Sequence, residues 1–202
     1  LGGATTINGG TGAISFSNTI NGANGLTTSG SGTTTVSGII GGTTALSALT
    51  IGGTGSVTLS GIGGASTAGV SGATSVSGSG STITLNGSTY NANAQTYTAN
   101  NTILGAHTTI TTNSGNLTFS NTINASAATG YSLTINGGTG TVTVGGAIGG
   151  VTALTSVTTD TGGSVSLQSV TTSGAQSYGD ATVTLNGTYA TTDSNFSVTG
   201  AA

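Results

Sequence analysis

The stretch GTGTVTVGG, residues 138–146, contains the pattern that decides the fold of this chain. Two apolar β-branched residues, Val142 and Val144, flank Thr143, and glycines lie on both sides. Alternation of apolar and polar residues, with β-branched side chains, is typical of a strand that buries one face. Glycine clusters are typical of turns. The stretch therefore predicts a short, half-buried β-strand between two turns.

The same triplet, a large apolar residue, then Ser or Thr, then a large apolar residue, recurs along the whole chain. It also occurs at Ile14–Phe16, Leu49–Ile51, Val57–Leu59, Ile83–Leu85, Leu117–Phe119, Leu133–Ile135, Val165–Leu167, Val183–Leu185 and Phe196–Val198. Clusters of Gly, Asn and Ser separate the triplets, and no segment has a sustained helical period. We therefore expect an all-β protein built from many short strands.

The composition excludes several classes of partner. The 202 residues include 39 Gly and no Lys, Arg, Cys or Pro, and charged residues make up 1% of the chain. Nucleic-acid binding needs basic residues that neutralise phosphates, so we expect none. No apolar run approaches the roughly 20 residues of a membrane-spanning helix, so we expect no membrane insertion. Since the chain begins at Leu1 without a signal peptide, we expect a mature or internal segment of a longer precursor.

Internal repeats are visible at several offsets. Residues 5–21 align without gaps to residues 108–124, and both segments end in FSNTIN. IGGTTAL at 40–46 matches IGGVTAL at 148–154, whereas AQTY at 94–97 matches AQSY at 175–178. The offset is therefore shorter in the later part of the alignment, which indicates about one extra coil in the first copy. A solenoid tolerates such an insertion because each coil contacts only its neighbours.

These repeats predict a β-solenoid, or β-helix, with two long repeats at 1–107 and 108–202. The extra coil lies near 63–88, and the two repeats form one continuous solenoid. The alternative is a pair of tandem immunoglobulin-like β-sandwiches, which an offset of roughly 100 residues also suits. The missing Trp, Pro and Cys, the high glycine content and the shifting offsets favour the solenoid.

Three phrases, GTGTVTVGGAIGGVTALTSVT (138–158), SVTTSGAQSYGDATVTL (169–185) and GNLTFSNTIN (115–124), resemble known repeats. They are similar to the repeat regions of large secreted bacterial surface proteins, the filamentous-haemagglutinin-like and β-strand-repeat adhesins. The resemblance covers nearly the whole chain. It implies secretion, a β-solenoid stalk and a role in adhesion or matrix building.

Few residues are candidates for chemistry. His107 could form a triad with a serine and an aspartate, but abundant Ser and Thr offer such combinations by chance, so we expect no enzyme and no cofactor. Asp160 and Asp193 are the candidates for a structural metal ion. A calcium site needs clustered carboxylates, and these are far apart in sequence, so we expect no metal.

Function follows from what the chain lacks. Solenoid ends expose unpaired strands, which proteins usually protect with Lys, Pro or a cap. We therefore expect a structural subunit or stalk of an extracellular or cell-surface fibre, sheath or adhesin, which self-associates by strand pairing or end-to-end stacking. The alternative is a surface module that binds cell-surface glycans or ice. Its motif would be the Thr-x-Thr pairs at 109–111, 141–143 and 182–184, whose unequal spacing along the chain does not match one coil length.

Overall fold

A computed structural model describes residues 1–126 and 130–202, which form twenty strands and no helix. The described part of the chain thus has no helix that is long and apolar enough to cross a membrane. The first ten strands are β1 Thr5–Asn8, β2 Ile14–Phe16, β3 Leu26–Ser29, β4 Thr34–Val36, β5 Leu49–Ile51, β6 Val57–Leu59, β7 Val70–Leu85, β8 Thr89–Leu104, β9 Thr108–Thr111 and β10 Leu117–Phe119. The others are β11 Thr122–Ala125, β12 Leu133–Asn136, β13 Thr141–Val144, β14 Val157–Thr159, β15 Gly162–Leu167, β16 Val170–Thr171, β17 Gln176–Tyr178, β18 Asp180–Leu185, β19 Tyr189–Ala190 and β20 Phe196–Val198.

All pairings between named strands are parallel, and they stack the chain into a β-solenoid of about nine turns. This architecture confirms the predicted β-solenoid over the tandem sandwiches, whose sheets would be antiparallel. Strand β8 pairs with β9, so the stacking continues across residues 107 and 108. Strand β7 lies entirely within residues 63–88, the range predicted to hold an extra coil.

Each coil contributes one rung to each of three ladders, which we call the first, second and third faces. The first face contains β1, β3, β5, the parts of β7 and β8 at Thr74–Val76 and Gln95–Tyr97, β10, β13, β15 and β18. The second contains β2, β4, β6, Ile83–Leu85, Thr102–Leu104, β11, Ile148, β16 and β19. The third contains Ile20, Ile40, Ile62, the start of β8, β9, β12, β14, β17 and β20.

Coil length varies although the ladders stay in register. On the first face, the coil that runs from Thr50 to Ser75 is longer than the coil that runs from Ser166 to Thr184. The difference is absorbed in turns and corners, because loops tolerate length changes that a strand ladder does not. Stacked strands lie about 4.8 Å apart, so the nine coils form a rod roughly 40 Å long.

The core is a set of apolar columns inside the three ladders. In β5, Leu49 and Ile51 are fully buried while Thr50 between them is exposed, and most of the other triplets repeat this alternation. The rings of Tyr97 and Phe119 stack in one column, with centroids 4.8 Å apart. Burial of aliphatic side chains of this size contributes about 1.5–3 kcal/mol each, so the columns provide the main stabilisation of a chain without disulfides.

Corner glycines allow the coils to approach each other closely. A Cβ atom on Gly55 would overlap the carbonyl oxygen of Gly32, and one on Gly32 would overlap that of Gly12. The same relation joins Gly163, Gly140 and Gly115 in the second repeat. At these corners the backbone of the adjacent coil requires glycine whatever the φ angle, which is positive at Gly163 but not at Gly55.

The two long repeats do not occupy equivalent faces. Strand β1 lies on the first face, whereas its sequence copy β9 lies on the third. Strand β2 lies on the second face, and its copy β10 on the first. The residues between a strand and its copy therefore do not make a whole number of coils. The copy lies one face before the position at which the last of these coils would be complete. Because each face makes the same kind of strand and turn, one sequence fits any of them.

Candidate functional site: a hydroxyl ladder and buried polar clusters

One row of side chains runs along the whole first face and consists only of Thr and Ser. We call this row the hydroxyl ladder. Its rungs pair in unbroken register in the order Thr6, Thr27, Thr50, Ser75, Thr96, Thr118, Thr143, Ser166 and Thr184. Seven rungs are Thr and two are Ser, and none is buried.

Among the described residues, the hydroxyls of the ladder have no protein partner. Surface hydroxyl pairs do form nearby, as between Thr98 and Ser120 at 3.5 Å and between Ser164 and Thr141 at 3.3 Å. Within residues 1–126 and 130–202, however, no side-chain hydrogen bond involves a rung of the ladder. The nine hydroxyl groups are thus available to an external ligand or to water.

The other faces have shorter rows. On the second face, Ser15, Thr35, Thr58 and Thr84 lie in register, but the next residue of that row is Ile103. On the third face the row begins only at Thr89 and reaches Ser197. The first face therefore carries the longest uninterrupted array.

The structure separates the three Thr-x-Thr pairs that the sequence singles out. Thr141 and Thr182 lie two rungs apart on the first face with Ser164 between them, so the segment that joins them makes two coils. Thr109 and Thr111 lie on the third face. The middle residue of each pair points into the core, as the full burial of Ile110 and Val142 shows.

The last residue of each FSNTIN copy holds the loop of the following coil. The side-chain oxygen of Asn21 accepts hydrogen bonds from the backbone N–H groups of Thr43 at 2.9 Å and Thr44 at 3.3 Å. That of Asn124 accepts bonds from Val151 at 2.9 Å and Thr152 at 3.2 Å. These loops are the two copies of the IGG-x-TAL segment, so the repeated phrases are joined to each other in three dimensions.

A second repeated motif forms buried polar clusters. The side-chain nitrogen of Gln95 donates to the carbonyl oxygens of Tyr90 at 3.1 Å and Thr111 at 2.8 Å, and the Tyr97 hydroxyl donates to Oε1 of Gln95 at 2.6 Å. Burial raises the pKa of Tyr97 well above its ordinary value, and the nearby Tyr90 raises it further by a smaller amount. The phenol therefore stays protonated and remains a donor.

Gln176 repeats this arrangement further along the solenoid, on the third face. Its side-chain nitrogen donates to the carbonyl oxygens of Val170 at 3.3 Å and Ala190 at 2.8 Å, while the hydroxyl of Tyr178 donates to its Oε1 at 3.0 Å. Each glutamine bonds carbonyl groups of two consecutive coils at a corner. The clusters therefore join coils, and the amide groups of both glutamines are engaged within the protein.

The three aspartates occupy different environments. Asp160 accepts backbone N–H bonds from Gly137 at 3.0 Å and Gly138 at 2.8 Å. Asp193 lies in an exposed turn with a positive φ of 48°. The structure thus does not bring the two predicted metal candidates into a cluster, and the described residues contain no group of three or more His, Cys, Asp or Glu side chains suited to a metal.

Asp180, which the sequence did not single out as a metal candidate, has the most unusual environment. It is buried, its Oδ2 accepts a hydrogen bond from the hydroxyl of Thr159, and its Oδ1 has no partner among the described residues. Burial raises the pKa of Asp180, the Thr159 hydroxyl and its own backbone lower it, and nearby Asp160 raises it. No sequence signal separates this aspartate from the others, because its burial depends on the coil stacked above it.

His107 has a serine partner but no carboxylate partner among the described residues. Its Nδ1 accepts the backbone N–H of Ser132 at 3.1 Å and lies 3.0 Å from the hydroxyl of the same residue. The imidazole also meets the ring of Tyr131 edge to face. The part of the chain described by the structure contains no pocket beside this pair.

Comparison with known proteins adds no relative. No known protein-family description, no curated protein and no solved structure matches this chain.

Proposed function

We propose that this chain is a rod-shaped structural segment, a stalk or a subunit, of an extracellular or cell-surface fibre, sheath or adhesin. The observation that carries the proposal is the uninterrupted stack of about nine coils, in which every strand rests on the next through backbone hydrogen bonds. Such a stack is a stiff spacer whose length grows with each added coil. The resemblance of the repeats to secreted bacterial adhesins supports the same role and location.

The terminal coils favour self-association. Strand β1 pairs only with β3, and β20 only with β17, among the described residues, so each end has an open edge. Ile7 at one end and Val198 at the other are only partly buried, and Phe196 is 44% exposed. A further coil, from a longer chain or from a second copy, would pair these edges and cover these side chains.

The composition suits a durable material. The chain has no Lys or Arg and therefore offers no cleavage site to a protease specific for basic residues, even when it unfolds. Three aspartates and one histidine give the fold few groups whose ionisation could unfold it.

Electron microscopy and sedimentation of the purified chain test self-association. We expect rods that lengthen in steps of one molecule as concentration rises. Ile7→Lys places a charge at the open end of a core column and should abolish this growth. Thr158→Lys, at an exposed position of β14, which is paired with a strand on both sides, is the matched control and should still assemble. Monomeric rods at all concentrations, or equal assembly by both variants, would contradict the proposal.

The alternative role, a surface that binds glycans or ice, has one observation in its favour. The hydroxyl ladder is an array with no partner within the described protein.

A further inference from the structure

We infer that the hydroxyl ladder of the first face is an ice-binding surface. This inference does not depend on the proposed fibre role, since it concerns the side of the rod and not its ends. The first observation is periodicity, because nine rungs follow each other in register from Thr6 to Thr184. The rungs repeat about every 4.8 Å, over a length of roughly 40 Å.

The second observation is that the ladder is rigid. Thr is β-branched, so its χ1 angle is restricted, and the methyl and hydroxyl groups of the seven threonine rungs hold fixed positions. The strands beneath are fixed by buried neighbours, as Thr118 is by Leu117 and Phe119. A ligand therefore meets an array that loses little conformational entropy on binding.

The third observation is the neutrality and small size of the side chains around the ladder. The residues two positions before the rungs are small in the first five coils, for example Ala48, Ala73 and Ala94. The residues that lie two positions after these rungs, for example Gly52 and Ser77, carry no charge. The surface beside these rungs therefore leaves the hydroxyl groups accessible to a flat solid.

These properties select the ligand. One exposed hydroxyl contributes little net binding energy because it exchanges one hydrogen bond for another. Nine together bind tightly only if the ligand offers partners at the same period, so that every contact after the first is intramolecular. The ligand must therefore be periodic, uncharged and rich in hydrogen-bonding groups.

Ice satisfies these requirements better than a polysaccharide does. Sugars commonly stack on aromatic rings, and the first-face rings of Tyr97 and Phe119 point into the core and are buried. Water molecules at an ice surface repeat on the scale of the strand spacing, accept and donate hydrogen bonds, and pack around methyl groups. Threonine supplies both kinds of contact at seven of the nine rungs, and serine supplies the hydroxyl group at the other two.

Partition of the protein into a slowly grown ice crystal, together with inhibition of ice recrystallisation, tests this inference. We expect the wild-type chain to be enriched in the ice and to block recrystallisation. Thr118→Tyr, in the middle of the ladder, should reduce both effects at least tenfold. Thr134→Tyr is the matched control, because Thr134 is equally half-buried in a triplet of the third face.

Circular dichroism melts show whether the variants fold. If Thr118→Tyr does not fold, Thr118→Val, which replaces the hydroxyl group with a methyl group, takes its place in the test. Exclusion of the wild-type chain from ice, or equal losses in Thr118→Tyr and Thr134→Tyr, would overturn the inference. Retention on crystalline cellulose or chitin without ice affinity would assign the face to carbohydrate instead. Loss of side-by-side association in Thr118→Tyr without ice affinity would assign it to a second copy. End-to-end assembly, measured separately, is expected to be unchanged.

Discussion

Asn21 and Asn124 make the same contact on different faces of the solenoid. Each ends a copy of FSNTIN, and each accepts two backbone N–H groups of the loop one coil further along. Ile20 before Asn21 lies on the third face, whereas Ile123 before Asn124 lies on the second. The hexapeptide is thus a construction unit that fixes one coil to the next, irrespective of the face.

Asn21 and Asn124, which we call the capping asparagines, should stabilise the solenoid, and replacing the more deeply buried one should cost more. Asn124 is buried and also donates to Asn101 at 2.9 Å, so Asn124→Ala should reduce the free energy of unfolding by about 2–3 kcal/mol. Asn21→Ala, at a more exposed loop, should cost about 1 kcal/mol. Urea unfolding measures both, and Asn18→Ala and Asn121→Ala, at exposed positions of the same hexapeptides, are the controls. Equal costs at control and capping positions would contradict this role.

The corner glycines give a steric prediction. Gly55→Ala should cost about 2–4 kcal/mol, because the new methyl group overlaps the backbone of Gly32 and the coils cannot separate without breaking their ladder. Gly64→Ala is the control, since a Cβ atom there meets nothing within 4 Å. Thermal melts of the two variants should differ clearly. If both variants melt like the wild type, the prediction that the coils pack too closely at this corner for a methyl group is wrong.

The alternating triplets predicted ten of the twenty strands, because a Thr such as Thr50 between two large apolar residues leaves both of those residues on one buried face of a strand. Strands without a triplet, such as β3, β4 and β17, were not predicted in this way. The middle Thr or Ser of each triplet was predicted to lie outside, but strand threonines elsewhere, such as Thr28 and Thr74, are buried. Which of the three faces each strand occupies could not be predicted from the sequence. The offset between the two FSNTIN copies gives no sign that it falls one face short of a whole number of coils, since coil length itself varies along the chain.

Polar residues inside the fold were harder to predict. The duplication of AQTY and AQSY was visible in the sequence, but the cross-coil bonds of Gln95 and Gln176 depend on which carbonyl groups a corner leaves unpaired. Asp180 is similar, because its burial is a consequence of the last coil, which stacks on β18. Sequence alone treats it as an ordinary turn aspartate.

The Gln95 cluster is expected to contribute strongly to stability. Gln95→Leu leaves the carbonyl groups of Tyr90 and Thr111 and the hydroxyl of Tyr97 without their partner, so it should cost about 2–4 kcal/mol. Gln168→Leu, at a half-exposed glutamine beside the first face, should change stability by less than about 0.5 kcal/mol.

A double-mutant cycle with Tyr97→Phe separates the contributions. If the Tyr97 hydroxyl acts through Gln95, the two losses will not add, and the coupling should be about 1 kcal/mol or more. Additive losses in chemical unfolding would show that the two side chains stabilise the core independently.

Asp180 should reverse the usual response of a protein to acid. Burial raises the pKa of its carboxyl group in the folded state, so the native protein binds a proton more readily than the unfolded chain does. The stabilisation by this proton is fully present below the unfolded pKa and is lost as pH rises through the folded pKa. The melting temperature should therefore rise when the pH is lowered from neutral into the acidic range.

Asp180→Asn should remove this dependence, because a neutral amide takes the place of the carboxyl group at every pH. We expect the variant to melt above the wild type at neutral pH and close to it in acid. Asp193→Asn, at an exposed turn, is the matched Asp-to-Asn control. A wild-type chain that loses stability on acidification, or an Asp180→Asn variant that melts lower at neutral pH, would show that the Asp180 carboxylate is stabilised when ionised, for example by a bound cation.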